Sequence, residues 1–111
     1  MLRPLILLLA LSAAMPAQAR QSESLRAAAK LTGLTTGMAA ACKLPTKPVL
    51  HAFRDLMDRK SIQGPERKRL VRLVSQAHDR SFATQHKPGA MSCQEVEAQV
   101  KSTIRRLDRA K

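Results

Sequence analysis

The sequence predicts an all-α fold: a small bundle of about four helices with one long-range disulfide, after a cleavable signal peptide. Three observations predict it. Apolar residues recur at intervals of three and four, and no segment alternates like a strand for long. Prolines, glycines and capping residues divide the chain into separate periodic stretches. Two cysteines, Cys42 and Cys93, stand at the ends of two of the apolar stripes.

The leader comes first. Met1–Pro4 carry one positive charge, on Arg3, and Leu5–Ala14 are apolar apart from Ser12. Ala17-Gln18-Ala19 is a small-x-small site after Pro16. This is the three-part pattern of a secretory signal peptide, and the apolar run is too short for a spanning helix. Cleavage is expected after Ala19. Residues 1–19 then form the leader, and residues 20–111 a single helical domain that is periplasmic or secreted, with no transmembrane segment. No cysteine follows the apolar run at a lipoprotein position. A domain of this length has a thin core and gains from staples.

The first helix is expected over Glu23–Lys43, with Ser22 as N-cap. Leu25, Ala28, Leu31, Leu34, Met38, Ala41 and Cys42 form its stripe. Gly33 and Gly37 lie one turn apart, and each costs about 1 kcal/mol relative to Ala. Two readings stand: they let a neighbouring helix approach closely, or they break the helix in two. Pro45 and Pro48 close the region. The second helix, Pro48–Arg59, buries Val49, Phe53, Leu56 and Met57, and Ser61–Pro65 make the turn. The third starts at Gly64-Pro65-Glu66, with Pro in the first turn and an acid near the positive end of the dipole. Its core face is Leu70, Val71, Leu73, Val74, Ala77 and Phe82. Gln85–Met91 is a loop. The fourth begins at Ser92, where Ser92-Cys93-Gln94-Glu95 matches a capping box. Cys93, Val96, Val100, Ile104 and Leu107 then share one stripe, which turns Cys93 inward.

A thiol at a helix start invites a redox role, which needs an accessible, electropositive site with a nearby resolving partner. The chain has no C-x-x-C, and the other cysteine is Cys42. In an exported chain two cysteines read as one structural bridge, Cys42–Cys93. The loop it closes makes that constraint worth roughly 4 kcal/mol by chain entropy.

Other chemistry is thinly represented. His51, His78 and His86 show no metal-ligand spacing, so no metal site is expected. His78, between Val74 and Phe82, reads as a partly buried histidine bonded to a carbonyl. Ser75, His78 and Asp79 share one helix and form a local cluster rather than a triad. Asp55 and Asp58 stand beside Arg54 and Arg59 as surface ion pairs. Without Trp or Tyr, and with only Phe53 and Phe82, a cofactor-stacking pocket is not expected. No catalytic residue and no cofactor are expected.

Charge is the strongest remaining signal. The leader holds one of the 20 Lys and Arg and none of the 8 Asp and Glu, so the domain is strongly basic. The run ERKRLVR at 66–72 concentrates it. Arg67, Lys68, Arg69 and Arg72 are the candidate partner-binding face, to be weighed against an ordinary solvated helix face. Nucleic acid is not the expected partner, because no aromatics are interleaved and the chain is exported. An acidic protein or an anionic envelope component is.

The order of Leu34, Cys42, FRDLM at 53–57, PERKRLV at 65–71, Phe82 and Cys93 resembles a family of small bacterial secreted helical proteins with two cysteines. Phe53 stands where that family has tryptophan, and the tail is shorter. The resemblance implies a helical, disulfide-bonded domain and no particular activity. SCQEV at 92–96 is also similar to the stretch around the first cysteine of the Hde-type periplasmic acid-stress chaperones, although here it surrounds the second. The expected function is therefore a non-enzymatic, exported, basic binding module. A periplasmic stress chaperone and an inhibitor or immunity protein for a secreted toxin are the alternatives.

Overall fold

The computed structural model describes residues 17–110. Four helices follow one another: α1 (Ala17–Ala41), α2 (Lys47–Arg59), α3 (Gly64–Gln85) and α4 (Cys93–Arg109). No strand occurs among the described residues. The all-α expectation holds. Residues 1–16 of the expected leader lie outside the described residues, and Ala17–Ala19 belong to α1.

Helix starts follow their local chemistry. Pro48 stands in the first turn of α2, where a missing N–H costs nothing. Gly64 adopts φ 63°, a left-handed conformation, immediately before Pro65 and Glu66 open α3. Ser92 caps α4: its Oγ accepts from the Glu95 N–H at 3.1 Å and donates to Glu95 Oε1 at 3.0 Å. The start of α1 corrects the sequence reading. Ser22 is inside the helix, because nothing in the alanine-containing stretch before it breaks one.

The ends of α1 and α2 share one device. Lys43 (φ 58°) and Ser61 (φ 55°) are left-handed without being glycine. Leu44 N–H reaches back to the Ala39 carbonyl at 2.8 Å, and Ile62 N–H to the Met57 carbonyl at 2.9 Å. These are Schellman ends, and in each the residue after the turn packs with the core of its own helix. Burial of Leu44 and Ile62 offsets the cost of the left-handed residue.

The helices run up, down, up, down, with α1 as the axis. In a square bundle of that order α1 and α3 would stand at opposite corners. Here they touch along their length and run parallel. Gly33 meets Val74 and Ala77, and one turn on Gly37 meets His78 and Ser81. A Cβ at Gly33 would lie 2.6 Å from Ala77 Cβ, and one at Gly37 2.8 Å from Ser81 Cβ. The glycines therefore serve close approach, and α1 is unbroken. Ser81 Oγ seals the contact by donating to the Leu34 carbonyl at 2.7 Å. α1 also packs against α4 and α2, which pack on each other, whereas α3 leans almost wholly on α1.

The main core gathers Leu25 and Ala29 of α1 with Val49, Phe53, Leu56 and Met57 of α2, then Ile62, Leu70, Val74 and Leu107. A second, smaller cluster of Met38, Ala39 and Val96 lies beside the disulfide. Between them runs a polar seam of Thr32, Thr35, Thr36 and Thr103, all buried. Each hydroxyl is satisfied. Thr35 pairs with Thr103 at 2.8 Å across α1 and α4, Thr32 donates to the Ala28 carbonyl at 2.7 Å, and Thr36 pairs with His78 Nδ1 at 2.9 Å. His78 is thus half-buried as expected, but its partner is a hydroxyl and not a carbonyl.

Besides Cys93, three residues expected in the core are on the surface. Leu34 is 46% exposed, Val71 48% and Phe82 41%. The glycine contact explains Leu34: it rotates α1 so that Gly33 and Gly37, flanked by the threonines, face inward. Val71 and Phe82 are exposed because α3 leans almost wholly on α1 and buries only a narrow stripe, Leu70, Val74 and Ser81.

Cys42 and Cys93 form the expected bridge, with Cα atoms 5.6 Å apart and a sequence separation of 51. Cys93 itself is exposed, which corrects its inward placement. The bridge spans the end of α1 and the first turn of α4, above the level where Val96 enters the core. At the opposite end Arg59 donates to the carbonyls of Leu107 (2.9 Å) and Ala110 (3.4 Å), tying α2 to the close of α4.

Two outcomes check this architecture. Gly37→Ala should lower stability by about 1–3 kcal/mol through overpacking, despite a helix-propensity gain of about 1 kcal/mol. A denaturation midpoint that rises instead would mean the two backbones are not in contact. Reduction of the bridge should remove about 4 kcal/mol, read as a lower urea midpoint with reductant. The unfolded, unreduced protein should titrate no free thiol.

Candidate functional site

The basic run 66–72 lies on the first two turns of α3, and the helix separates its members. Arg67 is drawn down onto the preceding turn. Its Nη1 donates to Asp58 Oδ1 at 2.6 Å and to the Ile62 carbonyl at 3.2 Å. It braces the α2–α3 corner, and Asp58 pairs with it rather than with the adjacent Arg59. Lys68, Arg69 and Arg72 are exposed. Arg69, Arg72 and Gln76, at i, i+3 and i+7, edge the groove between α3 and α1.

Across that groove stand Arg26 and Lys30 of α1, one turn apart. The close α1–α3 contact brings these cations opposite Arg69 and Arg72. The groove has a volume of about 410 Å³, and Glu66 is the one acid among its lining residues. Lys68 is not part of it. Arg26 and Lys30 were absent from the sequence-derived face. Their i, i+4 spacing was visible, but their facing of α3 depends on a helix register that only the glycine contact fixes.

The groove continues toward the disulfide end as a mostly apolar trough of about 560 Å³. Leu31, Leu34 and Met38 form its α1 side, Leu73 and Ala77 its α3 side, and Met91 of the following loop closes it. Lys30, Leu73 and Gln76 line both parts, so basic groove and apolar trough are one continuous feature. Arg80 adds a cation on the rim of the trough. Its floor is shallow because the residues between the helices are small: Gly33, Gly37, Ala77 and Ser81.

The remaining candidate groups lie elsewhere. His78 and Phe82 of α3 and the C-capping His86 form a ladder of rings, with centroids 6.5 and 4.8 Å apart. Ser75 and Asp79 are exposed, and His78 is turned to Thr36. Among the described residues no group of His, Cys, Asp and Glu could hold a metal ion. Both cysteines are taken up in the bridge. No helix of the described residues is long and apolar enough to cross a membrane. No protein-family model, curated protein or solved structure matches the chain.

Proposed function

We propose that the chain is an exported, non-enzymatic module that binds an acidic partner through the basic groove between α1 and α3. The observation that carries this reading is the convergence of Arg26, Lys30, Arg69 and Arg72 from two helices around one concavity, with Glu66 as its lone acid. Cations spread evenly over a solvated surface need no such convergence. Concave walls concentrate their field, which favours an anionic ligand over a flat face of equal charge. The signal-peptide pattern of residues 1–19 and the Cys42–Cys93 bridge both suit an oxidising compartment outside the cytoplasm. Anions available there are acidic proteins, envelope polysaccharides and lipid headgroups.

Arg67 belongs to the fold in this reading, and Arg26 and Lys30 replace it at the site. Binding to an anionic probe, such as dextran sulfate or phosphatidylglycerol vesicles, should weaken steeply as salt rises. Neutralising Arg26, Arg69 and Arg72 together to Gln should weaken it roughly a hundredfold, at about 1 kcal/mol per cation near an anionic surface. Arg67→Gln should leave binding nearly intact and cost about 0.5–1 kcal/mol of stability, since its pair with Asp58 is largely solvated. Binding unchanged in the triple variant would reject the site.

A further inference from the structure

The geometry points to a partner of defined shape: an amphipathic helix of another protein, acidic along its flanks, laid into the α1–α3 trough. This rests on the basic-groove reading and adds the form of the ligand.

The trough is an unpartnered side of the bundle. α2 and α4 pack against other parts of α1, and they leave Leu34 exposed and Leu31 half-buried. Leu34 is 46% exposed and Met91 38%, and both line the one trough. Contiguous exposed apolar surface rimmed by charge marks a binding face. Its openness argues against a small apolar ligand, which needs a site that encloses most of its surface. A furrow between two parallel helices, by contrast, is the shape that receives the ridge of a third helix. From Arg26 to Met38 the groove runs about 18 Å along α1, at about 1.5 Å per residue. That length takes about three turns of a partner helix, presenting apolar residues at i, i+3, i+4 and i+7.

Charge settles which helix fits. Lys30 and Arg80 flank the apolar part, and Arg26, Arg69 and Arg72 continue beyond one end. A partner with Glu or Asp on either side of its apolar stripe satisfies both rims. A second copy of this chain does not, because its formal charge is +12 and its helices would meet like charge. The small residues of the floor admit large partner side chains over Ala77 and Ser81, with Leu31, Leu34, Leu73 and Met91 as walls.

The test uses the oxidised protein and a synthetic probe of about 18 residues, a length that spans the groove with nearly two turns to spare. The probe carries Leu at i, i+3, i+4 and i+7 with Glu on the flanks. A second peptide has the same composition in scrambled order. The amphipathic probe should bind and gain helical circular dichroism, and the scrambled one should bind at least about tenfold more weakly. Leu34→Asp and, separately, Met91→Asp should each weaken the amphipathic probe about tenfold or more, by setting a carboxylate in the trough. Both side chains are exposed, and Met91 lies in a loop, so an unchanged thermal melt confirms that the fold is kept. Equal binding of both peptides, insensitive to the Asp variants, would overturn the helix-in-trough assignment while leaving the basic groove in place. Failure of every anionic probe, dextran sulfate included, would instead sink the basic-groove reading itself. Two further results would overturn the assignment. One is phosphatidylglycerol vesicles binding in a Leu34-dependent way while the peptide does not. The other is a concentration-dependent dimer abolished by Leu34→Asp.

Discussion

The contact on which the fold depends is the approach of two backbones where Gly33 and Gly37 face α3. Two missing side chains let α1 and α3 pack as a parallel pair although they occupy odd positions in an up-down order. Much else follows from it. With the glycines inward, Thr35 meets Thr103 of α4, Thr36 meets His78 of α3, and Leu34 turns out. The same register sets Arg26 and Lys30 against Arg69 and Arg72. Close approach also leaves a shallow floor between the helices, which is why the surface carries an open trough and not an enclosed cavity.

A bundle built this way has little bulk to bury. Phe53 is the one buried aromatic among the described residues, and the middle of the bundle holds threonine hydroxyls in place of large aliphatic side chains. Buried hydroxyls are tolerable only when satisfied, and no buried side-chain polar atom among the described residues lacks a partner. The seam gives direction where the apolar core gives little. The Thr35–Thr103 pair fixes the sliding position of α4 along α1, and the Thr36–His78 pair does the same for α3. The two ends are then fastened separately, by the disulfide at one and by Arg59 on the α4 carbonyls at the other.

How far the sequence spoke for itself depended on how many sides of a helix are covered. α2 and α4 are each buried on one side, so their apolar stripes announced them: Val49, Phe53, Leu56 and Met57 are buried as the spacing implied, and so are Val96 and Leu107. The cap at Ser92 and the Gly64-Pro65 start were equally plain, because they rest on local chemistry. On α1 Leu25 and Met38 are buried as the stripe implied, whereas Leu34 is exposed because glycine and threonine are the buried members at that level. The helix ends at Lys43 and Ser61 carried no glycine signal, since Leu44 and Ile62 hold them from the core. For the site, the basic run identified one wall. Its second wall lies some forty positions away on α1, and no local pattern reports a register. Arg67 was legible as charge but not as a brace, because its partner Asp58 stands across a turn.

The placing of the bridge has a consequence for how the molecule meets proteases. All three interhelical loops lie between Cys42 and Cys93 in the chain, and Lys43 and Lys60 fall in or beside the first two as cleavage points for a trypsin-like enzyme, whereas Pro88 protects the bond after Lys87. A cut in any one of these loops opens the ring without dividing the molecule, so both fragments stay covalently joined. The nicked protein keeps α1 and α4 stapled, and the small-residue contact with α3 has no free end to carry it away at the bridge. Such damage is borne as a clipped but single molecule until the bridge is reduced.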